Sequence, residues 1–337
     1  MRRARHKGAK NNMRLSVSHS SWPIAGHFTI SRGSKTSAEV VVAEITDGQH
    51  TARGECVPYA RYGETIDNVI AAIEALAGDI AQGFTRADLQ NKLPAGAARA
   101  ALDCALWDLE AKKSGLPVWQ LAGLPKPRPL ITAYTISLDT PEAMAKKAAE
   151  ARDYPLLKLK LGGTNDIERV AAIRKAAPEK RLIIDANEAW TLDDLHHFTP
   201  EFAALQVELI EQPLPAGADD ALLNFKSPVP LCADESCHDT ASLGAIIGRY
   251  EMVNIKLNKS GGLTEAIRLT NAAEAAGLKI MIGCMVGTSL AMAPAALLGA
   301  KAQVIDLDGP LLLTQDRSPG IRYDKATMYP PEPEVWG

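Results

Sequence analysis

Apolar and polar positions alternate along residues 13–60. The runs "RLSVSHSSW", "HFTISRG" and "AEVVVAEITDG" keep period two or are dense in β-branched residues, and Asp47-Gly48 is a hairpin-type pair. These segments predict strands. From 64 to 125 the period lengthens. "TIDNVIAAIEALAGDIA" and "AGAARAALDCALWDLEAKKSG" read as helices, the second ending at Gly115-Leu116-Pro117. Strands followed by helices in separate blocks predict a small α+β domain over residues 13–125.

From residue 126 short apolar strands alternate with helical stretches. The strand candidates are "ITAYTIS", "LLKLKLG", "LIIDAN", "VELIEQP", "VPLCADES", "VNIKLNK", "KIMIGCM" and "AQVIDLDG". Corresponding polar positions recur every 22–26 residues. Eight βα-like units with near-continuous apolar strands predict an α/β fold, a parallel barrel over 126–320. A doubly wound open sheet is the alternative, weakened because no GxGxxG turn follows an early strand. The tail 321–337, with "YPPEPEVWG", is too proline-rich for helix and is expected to pack back on the surface.

Composition narrows the class. The chain has 337 residues, a net charge of −3, 46% apolar and 23% charged residues. These describe a globular protein and give no electrostatic case for nucleic acid or an acidic membrane. Five scattered cysteines without a CxxC pair indicate reduced thiols, hence a cytoplasmic chain. No apolar run is long enough to span a membrane. Residues 1–12 carry five Lys/Arg and no acid, with no apolar segment after them; they read as a disordered basic extension.

The strand ends carry the chemistry. A barrel places the C-terminal ends of its strands at the active-site face. The second unit brings Lys158 and Lys160 there, the third Asp185, the fourth Glu211, the fifth Asp234, the sixth Lys256, and the eighth Asp306 and Asp308. Lys158 and Lys160 are two apart, so they leave one face of an extended strand while Leu157, Leu159 and Leu161 leave the other. Any one charged strand end is ordinarily a cap or an ion pair. Three carboxylates converging from adjacent strands repel unless protonated or bridged by a cation. Hard oxygen ligands with positions left open suit Mg²⁺, and the absence of His disfavours Zn²⁺.

Units two and six are opposite in an eight-membered ring. A molecule held between them has Lys158 and Lys160 on one side and Lys256 on the other. Repulsion from Lys158, with the cation, is expected to depress the pKa of Lys160 and fit it as a general base, leaving Lys158 to tune it. A cation and two opposed lysines suit removal of a proton α to a carboxylate. The enediolate so formed carries its charge on oxygens that a cation stabilises.

The ordered set KxK (Lys158, Lys160), DAN (Asp185), EQP (Glu211), ADES (Asp234) and IKLNKSGG (Lys256) resembles the muconate-lactonizing subgroup of the enolase superfamily. The likeness covers nearly the whole chain after residue 13, including "ALDCALWDLEAKKSGLPVWQLAG". It implies a modified (β/α)7β TIM barrel with an N-terminal α+β capping domain, one Mg²⁺ per subunit, and two-base 1,1-proton transfer. Within the subgroup the chain looks most like the dipeptide epimerases, those acting on L-Ala-D/L-Glu in cell-wall peptide recycling. "IDLDGP" resembles their DxD, where Asp306 and Asp308 would bind the dipeptide's ammonium. "ISRGSKTSAEVV" resembles their capping loop, where Arg32 would meet the glutamate side-chain carboxylate. Thr135 falls where the family has a residue near the substrate backbone. Asn187 and Glu235 would support the site from behind, and Lys259 would neutralise a ligand carboxylate. The loop at 55–65 would close over the cavity.

The same lysines and cation also serve muconate cycloisomerase, o-succinylbenzoate synthase, N-acyl amino acid racemase and dipeptide epimerases of other side-chain specificity. Asp306 and Asp308 argue against substrates without an amine. The expected partner is a small dipeptide, and homo-oligomerisation stays open.

Overall fold

A computed structural model describes residues 13–337; the basic extension 1–12 lies outside them. The N-terminal strands Arg14–Ile30, Gly33–Thr46 and Thr51–Cys56 form a three-stranded antiparallel sheet in chain order. Asp47 shapes the second turn by accepting the backbone N–H groups of Gln49 and His50. Helices Ile66–Glu74, Arg86–Lys92 and Ala97–Ser114 cover one face. The first two begin with capping boxes at Thr65 and Thr85. Val41, Ala43, Ile45, Ile73, Ala101 and Leu102 share the core beneath them.

The barrel has eight parallel strands: Tyr134–Ile136, Leu156–Lys160, Arg181–Asp185, Val207–Glu211, Leu231–Ala233, Met252–Ile255, Lys279–Gly283 and Val304–Asp306. It closes where the Ala133 N–H donates to the Ile305 carbonyl at 2.8 Å. Full-length crossover helices follow strands one, two, three and six; after strand four only a 3₁₀ turn, Asp220–Asn224, remains. Leu157, Leu159 and Leu161 point outward and pack with Met144, Ala148, Val170 and Ile173 of the surrounding helices.

Period two inside each strand stacks the interior in layers. The floor is apolar: Ala133, Leu156, Ile183, Leu209, Cys232, Met252, Met281 and Val304, one per barrel unit. Two residues further along come Thr135, Lys158, Asp185, Glu211, Asp234, Asn254, Gly283 and Asp306. One alternation thus converts a dry floor into a ring of polar side chains at the mouth. Gly283 is the ring member without a side chain because a Cβ there would lie 2.5 Å from Asn254 Oδ1.

The tail 321–337 packs back on the body. Tyr323–Asp324, Thr327–Met328 and Leu130–Ile131 form a small antiparallel sheet. Trp336 is buried, and its indole N–H donates to the Cys104 carbonyl of the long cap helix at 3.1 Å. No helix among the described residues is long and apolar enough to cross a membrane.

Candidate active site

The polar ring opens into a cavity of about 810 Å³ between the barrel mouth and the cap. Lys158, Lys160, Asp234, Lys256, Asp306, Asp308, Thr135, Asn187, Glu235 and Arg32 all line it, whereas Lys259 lies behind its wall. Asp185, Glu211 and Asp234 each offer a carboxylate oxygen within 4.8 Å of the others. Strand pairing sets them side by side: Lys160 is level with Asp185, and Asp185 with Glu211.

Each lysine has a distinct setting. The Lys158 ammonium is fully buried, 2.6 Å from Glu211, 2.7 Å from Asp306 and 3.3 Å from Asp185. Burial opposes its charge, but Asp306 and Glu211 outweigh that and hold its pKa well above the usual value. Lys160 donates to Asp185 Oδ2 at 2.6 Å, the oxygen nearest Lys158 as well. Lys256, on the far side, donates to Asp234 Oδ2 at 2.6 Å. Burial again works against the charge, and Asp234 then Glu211 raise its pKa well above normal. Lys259 takes the other oxygen of Asp234 at 2.5 Å.

The carboxylates differ accordingly. Burial favours the neutral acid in all of them. At Asp185 the charges of Lys160 and Lys158 overcome it, leaving a pKa of about 2; at Asp234 Lys256 and Lys259 bring it well below the ordinary value. At Glu211 burial and the Asp185 charge prevail and push the pKa to about 8. Glu211 Oε1 accepts from the Asn254 amide at 2.7 Å, while its Oε2 has no hydrogen bond among the described residues and meets Lys158 as an ion contact. Three converging carboxylates, one of them under-neutralised, fit a hard cation.

The cap closes the rim through Arg32. One terminal nitrogen donates to the Asn187 carbonyl at 2.8 Å and Glu188 at 2.9 Å; the other donates to the Tyr59 hydroxyl at 3.0 Å and Glu235 at 2.7 Å. Asn187 and Glu188 stand in the left-handed region, with φ 45° and 68°. Their turn is held by the Asn187 N–H to Asp185 Oδ1, and by Arg61, which grips Glu188 in bidentate fashion at 2.8 and 2.7 Å. Thr135 gives its backbone N–H to Asp308 Oδ2 at 2.7 Å. Asp306 Oδ1 is buried without a hydrogen-bond partner among the described residues. Burial, then the Asp306 charge, raises the Asp308 pKa to about 7.

The N-terminal part, residues 12–123, matches the family described as mandelate racemase / muconate lactonizing enzyme, N-terminal domain; residues 142–331 match the enolase C-terminal domain-like family. The chain belongs to the enolase superfamily. It is 45% identical to the L-Ala-D/L-Glu epimerase of Escherichia coli K12 over 317 residues, covering 94% of this chain and 99% of that protein. It is 48% identical to the N-acetyl-D-glutamate racemase of a Pseudoalteromonas species over 302 residues, 88% and 95% of the two chains. Among solved structures, an enolase-family protein of Agrobacterium tumefaciens with bound sodium and L-Ala-L-Glu superposes with a TM-score of 0.94 at 52% identity, covering 96% of this chain and all of that one. The dipeptide epimerase of Enterococcus faecalis complexed with Mg and L-Leu-L-Tyr gives 0.88 at 32% identity, covering 95% and 97%.

For an enolase-superfamily site, three contributors escaped sequence reasoning. Asn254 holds Glu211; its signal was present, a polar residue two before Lys256 in the same alternating strand. Gln212 ties strand four to strand five, its amide oxygen accepting the N–H groups of Asp234 and Ser236. Lys35, three residues after Arg32, lines the cavity and has no ion pair among the described residues. Burial lowers its pKa, and the Arg32 charge adds to that against the pull of Glu39.

Proposed function

We propose that this isomerase epimerises the glutamate residue of L-Ala-D/L-Glu by two-base 1,1-proton transfer, in cytoplasmic recycling of cell-wall peptides. One observation carries the reading. Lys160 and Lys256 reach one cavity from opposite strands of the ring, each hydrogen-bonded to a carboxylate of the same cluster. Asp185, Glu211 and Asp234 would hold Mg²⁺, which when bound stabilises negative charge developing on the substrate carboxylate.

The chain's own residues do the rest. One lysine, as the free amine, takes the α-proton; the other, as the ammonium, returns a proton from the opposite face. Repetition in either direction inverts the α-carbon. Lys158 and Lys160 share Asp185 Oδ2, at 3.3 and 2.6 Å. Thr135 and Asp308 fix the end of the cavity where the dipeptide ammonium lies, with Asp306 beside them. Asn187 and Glu235 hold the third and fifth strand-end loops together through a 3.3 Å hydrogen bond. Lys259 keeps Asp234 ionised.

The side-chain carboxylate meets the cap hairpin. All four terminal N–H groups of Arg32 already have acceptors, which leaves Nε–H. Lys35 is therefore the principal cation for that carboxylate, with Arg32 as its neighbour and as the clasp of the rim.

A second reading, racemisation of an N-acylated glutamate, is favoured by Asp308. A carboxyl with a pKa near 7 is partly neutral, and Asp306 already has Lys158, so the pair tolerates a substrate with no ammonium. Chiral chromatography of L-Ala-L-Glu and N-acetyl-L-glutamate after incubation with enzyme and Mg²⁺ separates the two. We expect faster turnover of the dipeptide and loss of turnover with EDTA. Preferential turnover of N-acetylglutamate would replace the first reading with the second.

A further inference from the structure

The helix Ala97–Ser114 of the cap reaches the loop that carries Lys256. Arg99 and Asp103 project from it into the seam and are buried. Arg99 Nη2 donates to the Ser260 carbonyl at 2.7 Å and Nε to the Gly261 carbonyl at 3.2 Å. Asp103 Oδ2 accepts the Thr264 backbone N–H at 2.9 Å, in the first turn of the helix Leu263–Ala275. The two glycines are what this approach requires. A Cβ at Gly261 would lie 2.3 Å from Arg99 Nε, and one at Gly262 2.4 Å from Asp103 Cβ.

The clamped turn leads straight to the lysine. The Lys256 carbonyl accepts the N–H groups of Lys259 at 3.0 Å and Ser260 at 3.1 Å. Lys259 Nζ in turn bonds the Asn254 carbonyl at 2.9 Å and the Asp234 carboxylate that Lys256 also touches. One segment, 254–264, is therefore held from the metal side by Lys259 and from the cap side by Arg99 and Asp103. Lys160 is placed differently. Among the described residues no side chain of the cap helix hydrogen-bonds to it, and the cap meets it through the Phe28 ring of its first strand, 5.6 Å from the ammonium.

We propose that Arg99 and Asp103 are positioning residues for Lys256. The cap helix sets the Lys256 face of proton transfer, and among the described residues it makes no hydrogen bond to Lys160 on the other. This rests on the two-base reading above. It gives the cap a part in the chemistry beyond covering the substrate, and it makes the two faces separately adjustable.

The test is wash-out of the α-proton into D₂O, followed by ¹H NMR separately from L-Ala-L-Glu and L-Ala-D-Glu, with N-acetyl-L- and N-acetyl-D-glutamate run in parallel. Lys160→Ala and Lys256→Ala identify the epimer each lysine deprotonates. Arg99→Ala and Asp103→Ala should each slow wash-out from the Lys256-dependent epimer by about tenfold or more relative to the other, because sub-ångström displacement of a proton acceptor is costly. Arg99→Lys, which keeps the charge but loses the two-carbonyl fork, should show a smaller skew in the same direction, and it decides the matter if Arg99→Ala does not fold. Equal slowing from both epimers, or none, overturns the proposal while leaving the two-base mechanism standing. Wild-type enzyme that exchanges no proton with any of the four substrates overturns the mechanism and this proposal with it.

Discussion

Lys35 and Asp308 make the sharpest residue-scale contrast with what the sequence suggests. Arg32 looked the better carboxylate partner because a guanidinium forks onto two oxygens. Its acceptors lie 27 to 203 residues away in the chain, so their claim on it is invisible without the fold. Lys35→Met should raise the KM for L-Ala-L-Glu about tenfold, with kcat nearly unchanged, since one charge-assisted hydrogen bond is lost equally in ground and transition states. Steady-state kinetics with a neutral dipeptide as control checks this; an equal KM change for the neutral dipeptide contradicts it. Asp308 sets a pH dependence. Its pKa is raised to about 7, so the carboxylate form, the one that would bind an ammonium, predominates only above that pH. The kcat/KM for L-Ala-L-Glu should fall as pH drops from 8 to 6, relative to kcat/KM for N-acetylglutamate, which carries no ammonium. Parallel profiles for the two substrates would remove Asp308 from amine recognition.

At the scale of elements, the barrel strands were legible because period two does two jobs at once. The outward leucines of Leu156–Lys160 bury against helices, and the inward lysines climb from an apolar floor to the mouth. Every charged strand end named from the sequence comes to the same rim. The loops were less legible. The left-handed turn at Asn187 and Glu188 and the bridging Gln212 depend on partners from other units, and residue type alone does not announce them. Asn254 gives this scale its prediction. Asn254→Leu removes the only hydrogen bond to Glu211 Oε1 among the described residues and leaves that carboxylate free to turn. Mg²⁺ affinity should fall about 10- to 100-fold, as for other supports of ligating carboxylates, measurable by calorimetric titration. Unchanged affinity would show that the strand backbone alone holds Glu211.

At the scale of the whole molecule, cap and barrel share one polar seam. Besides Arg99 and Arg32, the buried Glu55 of the third cap strand accepts from the Thr288 N–H at 2.8 Å and from Arg317 at 2.8 Å. A cap on a parallel barrel was legible from the switch in periodicity; this seam was not, because its members are scattered single residues. The carboxylate cluster at its centre is incompletely neutralised, with Glu211 at about 8. A cation binding only the folded state should therefore raise the melting temperature, by an amount that follows about 2.7 kcal/mol at 100 times Kd. Cation binding displaces the Glu211 proton, so the shift should be larger at pH 8 than at pH 6. Scanning calorimetry with and without MgCl₂ at both pH values checks this, and a shift independent of pH would contradict the assignment of Glu211.

The central claim is that two lysines act on opposite faces of one α-carbon. Its most direct test is ¹H NMR of L-Ala-L-Glu and L-Ala-D-Glu in D₂O with Mg²⁺ and wild-type, Lys160→Ala or Lys256→Ala enzyme. The account predicts that wild-type enzyme interconverts the epimers with loss of the α-proton signal from both. Each variant should lose epimerisation while still exchanging the α-proton of one epimer, a different one in each variant. Full epimerase activity in either variant would contradict it, as would loss of exchange from the same epimer in both.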